Sequence, residues 1–285
     1  MLFFIIPQSM VHGQHHKDTI NSTRMNTLLI TAGSAYSISL IALNNLWYSD
    51  HPKEAFHFFD DSGEWQQMDK LGHFYSTFHL SSASSRAFRW TGMNEKKSAL
   101  WGSALGIAFM LPIEIMDGYS SEYGASGSDL LANFLGAGFF LGQELLWQQT
   151  RIHPKFSFSH SGIANMRPEV LGKNRREEIF KDYNGQTIWL SFDLHTLMRI
   201  KPKWLNIALG YGVENMLNGS GSSVDGFDNS AYRQYYLGLD FDLSHIQSNS
   251  KAVNTLLYLV NLIHLPAPAL EFNSQNKVIL HPLKF

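Results

Sequence analysis

Trp204–Val213 reads WLNIALGYGV, and Arg233–Leu243 reads RQYYLGLDFDL. In the first, Leu205, Ile207, Leu209, Tyr211 and Val213 alternate with Asn206, Ala208, Gly210 and Gly212. In the second, Tyr235, Leu237, Leu239, Phe241 and Leu243 alternate with Tyr236, Gly238, Asp240 and Asp242. A period of two sends successive side chains to opposite faces, so both stretches predict two-faced β-strands. Gln186–His195 repeats the pattern, with Ile188, Leu190, Phe192 and Leu194 against Trp189, Ser191, Asp193 and His195. Lys277–Phe285 supplies a last strand. Ala252–Leu265 reads as one short helix, stopped by Pro266 and Pro268.

Upstream of residue 150 the period is helical. Thr27–Trp47 carries no charge over about 20 residues, the length that spans a bilayer. Trp65–Trp90, Glu95–Asp117 and Ser128–Gln149 read as three more helices. Gly136, Gly138 and Gly142 in the last of these predict a face open to close helix packing. Ser128 is the expected N-cap, with Asp129 at the positive end of the helix dipole. His51–Glu64 is a loop broken by Pro52 and Gly63.

The change of period defines the fold class: α+β, with an N-terminal helical bundle of about four helices, partly membrane-like, then a small antiparallel β-sheet with one short helix. The domain boundaries follow as a bundle over 26–150 and a strand-rich region over 151–285. Strands rich in aromatics and glycine resemble those of outer-membrane barrels, but the four or five counted here fall short of the eight a bacterial barrel needs. A small sheet is the expectation.

Composition limits the function. Charged residues are 16% of the 285, against roughly a quarter in soluble domains, while aromatics reach 13%. A hydrophobic share of 44% excludes a disordered chain. The net charge of −2 gives no footprint for nucleic acid. The balance is uneven: residues 1–150 hold 8 Lys and Arg against 13 Asp and Glu, whereas the remainder holds 14 against 11. With no cysteine, disulfides, thiolate metal sites and cysteine nucleophiles are excluded. Met1–Gln14 (MLFFIIPQSMVHGQ) resembles a signal peptide lacking its basic start, and 1–25 reads as a signal remnant and linker.

The chemistry-bearing residues lie in the helical half. Asp69 and His73 are four apart, Glu114 and Asp117 three apart, and Asp129 and Asn133 four apart, so each pair shares a helix face. Ionisable groups in apolar helices are costly and turn inward to pair. The three pairs are therefore expected to form one cluster. Three chemistries suit it. The first is a satisfied structural network, with Lys70, His73 and Asn133 neutralising the carboxylates. The second is a divalent metal ion held by Asp69, His73, Glu114, Asp117 and Asp129, in the manner of carboxylate–histidine bundles. The third is an acid–base site, with the same six residues as catalytic candidates. The structural network ranks first, and no cofactor is assigned beyond that divalent ion. His79, six residues beyond His73, turns off the shared face. Lys173, Arg175 and Arg176 read as a solvated helix face. There is no G-x-S-x-G, Walker loop, dinucleotide fingerprint or H-E-x-x-H.

Asp69-Lys70-Leu71-Gly72-His73-Phe74, Glu114-Ile115-Met116-Asp117-Gly118 and the run from Gly127 through Asp129, Asn133 and Gly136 resemble the YfiM-type family of predicted periplasmic lipoproteins, domain of unknown function 2279. The resemblance covers roughly residues 65–148. The longer chain, with Gly185-Gln186-Thr187 and Lys203-Trp204-Leu205-Asn206-Ile207, is similar to the two-part form in envelope proteins of Bacteroidetes. The D-K-x-x-H and D-x-x-x-N-x-x-G pieces are also similar to VanZ-like membrane proteins. Unlike the lipoprotein pattern, these residues contain no cysteine to lipidate.

The resemblance, the signal-like start and the low charge together imply a periplasm-facing, membrane-associated protein of the cell envelope, in the outer rather than the inner membrane. The expected role is structural or interactive, with a membrane lipid or an envelope protein as partner and no nucleic acid. The alternative is a membrane-proximal metal-dependent or acid–base hydrolase acting on a lipid or cell-wall precursor.

Overall fold

The computed structural model describes residues 18–49, 52–220 and 231–285. The signal-like Met1–Gln14 lies outside them. The fold is α+β, as the change of period requires. Helix α1 spans Ser22–Leu43 and runs on into a π-helical turn, Asn44–Tyr48. Helices α2 (Met68–Trp90), α3 (Glu95–Gly118) and α4 (Gly127–Trp147) follow. Then come β1 (Ile152–Phe158), the short helices α5 (Pro168–Leu171) and α6 (Arg175–Lys181), β2 (Gln186–Phe192) and α7 (Leu194–Met198). Strands β3 (Leu205–Glu214) and β4 (Tyr232–Phe241), helix α8 (Lys251–Val260) and strands β5 (Ala267–Asn273) and β6 (Val278–Lys284) complete the order.

The described residues form two compact units: 18–62 with 76–150, and 63–75 with 151–285. The division falls inside α2.

In the helical unit, α1 and α3 start at asparagine caps, Asn21 accepting from the Arg24 amide and Asn94 from the Lys97 amide. Phe78, Ala99 and Phe140 form the buried core of this unit. Close helix packing occurs at the α3 glycines; of the α4 glycines expected from the sequence, Gly136 is buried, while Gly138 and Gly142 stand clear. A methyl group on Gly102 would lie 2.6 Å from the Ser85 backbone nitrogen, and one on Gly106 would meet Ser81. Gly138 and Gly142 have nothing within 4 Å. Glycine spacing alone cannot say which face meets a neighbour. Helices α1, α3 and α4 are each long and apolar enough to cross a membrane. Leu29, Ile30, Ile38 and Ile41 of α1 and Leu131, Phe134, Leu135 and Leu146 of α4 are exposed.

The second unit is built on a six-stranded antiparallel meander in the order β1-β2-β3-β4-β5-β6. The sequence reading counted four or five strands. It missed β1, where Pro154 and Lys155 mask the apolar alternation, and β5, which directly follows the proline break at Pro266. The register places Trp189 opposite Gly210, and Gly210 opposite Tyr236. A methyl group on Gly210 would lie 2.6 Å from the Trp189 ring, so this position needs glycine. Trp189, Ala208, Tyr236 and Ala269 form one core cluster; Met68, Ile188, Val213 and Met216 form another.

Over much of the sheet the two faces are inverted relative to a water-soluble protein, around the buried Trp189 cluster on one face and the buried Ile188 and Val213 on the other. Lys155, Ser157, Thr187, Ser191, Asn206, Gln234, Asp240 and Glu271 are buried. Ile207, Leu209, Tyr235, Leu237, Leu239 and Phe272 are exposed. Helix α2 begins three residues later than Trp65, because Trp65, Gln66 and Gln67 take left-handed φ values of 48°, 51° and 65°. Their unit holds them there. The Trp65 amide donates to the Gly219 carbonyl (2.8 Å), the Tyr211 hydroxyl to the Gln66 carbonyl (2.6 Å) and Arg233 to the Gln67 side chain (2.7 Å).

Candidate functional site: two polar groups

The six residues singled out in the sequence fall into different units. Asp69 and His73 belong to the unit of the sheet, and Glu114, Asp117, Asp129 and Asn133 to the helical unit.

In the first group, helical spacing sets His73 Nε2 4.0 Å from Asp69 Oδ1. Lys70 Nζ stands 3.1 Å from Asp69 Oδ2, and the Tyr183 hydroxyl donates to Asp69 Oδ1 at 2.7 Å. Burial opposes the charge on Asp69, but His73, Lys70 and the Tyr183 hydroxyl outweigh it and hold the carboxyl below the usual carboxylate range. Tyr183 packs on Trp65, with ring centroids 5.2 Å apart, which fixes its hydroxyl.

In the second group, Ser126 is the hub. Its Oγ accepts from the Asp129 amide at 3.1 Å and caps α4, while its own amide donates to Glu114 Oε2 at 3.2 Å. The N-cap is thus Ser126, not Ser128 as expected. A cap oxygen reaches the amide three residues on, and Ser126-x-x-Asp129 has that spacing. Ser126 and Ser128 also donate to Asp61 Oδ1, at 2.5 and 2.8 Å. The Glu114 and Asp61 carboxylates and the Asp129 backbone amide therefore meet around one serine.

The paired spacings do not guarantee shared partners. Asn133 Oδ1 accepts from the Thr77 hydroxyl at 2.7 Å. Asp117, one turn from Glu114, instead accepts from the Tyr48 hydroxyl at 2.7 Å. A cavity of about 300 Å³ in this unit is lined by Asn44, Tyr48, Pro52, Lys53, Ile115, Met116, Tyr119 and Ser120. None of the six residues lines it.

Sequence reasoning missed Asp61, Ser126, Thr77, Tyr48 and Tyr183. Only Ser126 carried a local signal, its capping spacing to Asp129. The others act at separations of 56 to 114 residues.

An apolar helical region with carboxylates and a histidine turned inward is the class that these observations define. Residues 56–142 match the model of a family described as Predicted periplasmic lipoprotein (DUF2279). That segment contains all six residues and Asp61, and the match bears out the family resemblance of the motifs over this part of the chain. It supports a location in the cell envelope. No curated protein and no solved structure matches the chain.

Proposed function

We propose that this is a non-catalytic, periplasm-facing envelope protein of the outer membrane, whose sheet lays its outer face against lipid acyl chains. The inverted sheet carries this reading. Leu209, Leu237 and Leu239 are exposed by 49, 47 and 39% on one face, while the opposite face buries Lys155, Asp240 and Glu271. An antiparallel meander that is apolar outside and polar inside is the pattern of outer-membrane strands. The two polar groups are read as structural networks. The Asp69, Glu114 and Asp117 carboxylates accept from the Tyr183 hydroxyl, the Ser126 amide and the Tyr48 hydroxyl.

The three long apolar helices favour a second reading, the inner membrane. Separation of the two membranes on a density gradient decides between them. The expected result is the protein in the outer-membrane fraction, and in floated vesicles after reconstitution. Recovery with the inner membrane establishes the second reading, and a wholly soluble pool refutes both. The metal reading takes its ligands from Asp69, His73, Glu114, Asp117 and Asp129. Stoichiometric divalent metal in purified protein, lost in both His73→Ala and Asp129→Asn, would replace the structural reading with it.

A further inference from the structure

Beyond the two groups above, the sheet unit contains a third constellation, at the end where β2 and β4 finish. Asp193 follows β2 directly and caps α7, its Oδ1 accepting from the Thr196 amide at 2.9 Å. Asp242 follows β4 directly, its Oδ1 accepting from the Ser244 amide at 2.8 Å. Each carboxylate thus uses one oxygen on local backbone and turns the other toward His245. His245 Nε2 lies 3.1 Å from Asp193 Oδ2 and 3.8 Å from Asp242 Oδ2. One donor atom from each of the three residues lies within 4.8 Å of the other two.

The second observation is independent of this convergence. Asp242 is fully buried, yet its Oδ2 accepts no hydrogen bond among the described residues. A buried carboxylate oxygen without a donor is costly, and native proteins seldom leave one so. Burial works against its charge, but His153, the Ser244 contacts and Lys155 hold Asp242 below the usual carboxylate range, so it faces the group as an anion.

We propose that Asp193, Asp242 and His245 bind one divalent transition-metal ion. Carboxylate and imidazole ligands suit Zn2+, and three protein ligands leave a fourth position for water. Bond lengths of about 2.0–2.1 Å at a tetrahedral angle put ligand atoms about 3.3 Å apart. Two of the separations here need changes of tenths of an ångström, and a cation between the carboxylates draws in the third. The ion ties the ends of two strands that flank β3, a staple for that end of the sheet. His195 lies edge-on to His245, with ring centroids 5.5 Å apart, and its Nδ1 is 3.2 Å from the Ile200 carbonyl oxygen. This contact orients the imidazole beside the site.

The test is titration of ZnCl2 into full-length, detergent-solubilised, EDTA-stripped protein by calorimetry, with the melting temperature followed in parallel. One Zn2+ per chain should bind and raise the melting temperature. Binding should fall at least tenfold in His245→Ala and in Asp242→Asn, and persist in an Asp69→Ala/His73→Ala variant. His245 is partly exposed, so His245→Gln serves if the alanine variant does not fold. Absence of stoichiometric binding, or binding unchanged by the His245 variants, overturns the proposal. So does binding lost only with Asp69 and His73.

Discussion

Replacing Lys155 by Met removes the cation from the most deeply buried ion pair of the sheet. Lys155 and Asp240 have side chains with no solvent exposure and stand 2.7 Å apart. All three ammonium protons are used: on Asp240, on the Phe241 carbonyl at 2.8 Å and on Asn261 Oδ1 at 3.1 Å. At an effective dielectric near 20 the pair attraction is roughly 6 kcal/mol, and relief from desolvating the ammonium returns part of it. What is left in Lys155→Met is a buried carboxylate with the Ser191 hydroxyl, 2.6 Å from Oδ2, as its hydrogen-bond donor. Breaking such a pair costs about 3–5 kcal/mol. Urea unfolding in detergent, followed by circular dichroism, should show a loss of that size. The double variant Lys155→Met/Asp240→Leu should recover at least about 2 kcal/mol of it, because two matched apolar groups leave no charge orphaned. Ser191 keeps the Asn206 amide as a donor at 2.9 Å. A loss below about 1 kcal/mol in the single variant, or a double variant no better than the single, would refute this account of the buried face.

Ser126→Ala should lower stability by about 1–2 kcal/mol, the upper range for a cap, since Asp61 loses a donor along with the Asp129 amide's acceptor; thermal melts against Ser128→Ala, which removes no cap, check it. Tyr183→Phe should cost about 1–2 kcal/mol at neutral pH. Because the Asp69 carboxyl is depressed in the folded state, that deficit should be present above about pH 4 and vanish as acid protonates the group; a deficit constant down to pH 2 would contradict it. Burial depresses His264, which stacks on Trp189 at 3.9 Å and outweighs the opposing pull of Asp240. Its contribution is therefore complete above about pH 6.5 and lost as pH falls below, so wild-type protein should unfold more readily at pH 5.5 than at pH 8, with the difference reduced in His264→Phe.

The parts of the fold that could be read in the sequence were those fixed by local period. Strands β2, β3 and β4 alternate without interruption, and α2, α3 and α4 were placed to within a few residues. β1 was not, because on the buried face of this sheet Lys155 and Ser157 stand where an apolar residue is expected. The start of α2 was invisible for a different reason: the left-handed turn at Trp65–Gln67 is held by Tyr211, Arg233 and Gly219, all more than 140 residues away. Among the polar residues, spacing identified which side chains share a helix face but not what each face meets. Glu114 and Asp117 illustrate this, one serving the α4 cap and the other Tyr48.

On the reading proposed above, the apolar face of the sheet rests against lipid. A soluble sheet buries its apolar side chains, gaining roughly 1.5–3 kcal/mol for each large one. Here Ile207, Leu209, Leu237 and Leu239 forgo that gain in water, while Lys155, Asp240 and Glu271 bear the cost of burial within the chain. Lipid on the outer face would restore the missing gain without any change of fold. The two faces should then answer substitution in opposite ways. Leu209→Lys adds a charge to the exposed face and should weaken vesicle flotation, leaving the circular dichroism spectrum in detergent unchanged. Ala208→Leu enlarges a fully buried position packed beside Trp189 and should unfold the sheet with no direct effect on lipid affinity. If Leu209→Lys floats as wild type does, the outer face is not lipid-bound. If Ala208→Leu is as stable as wild type, the polar face is not the packed one.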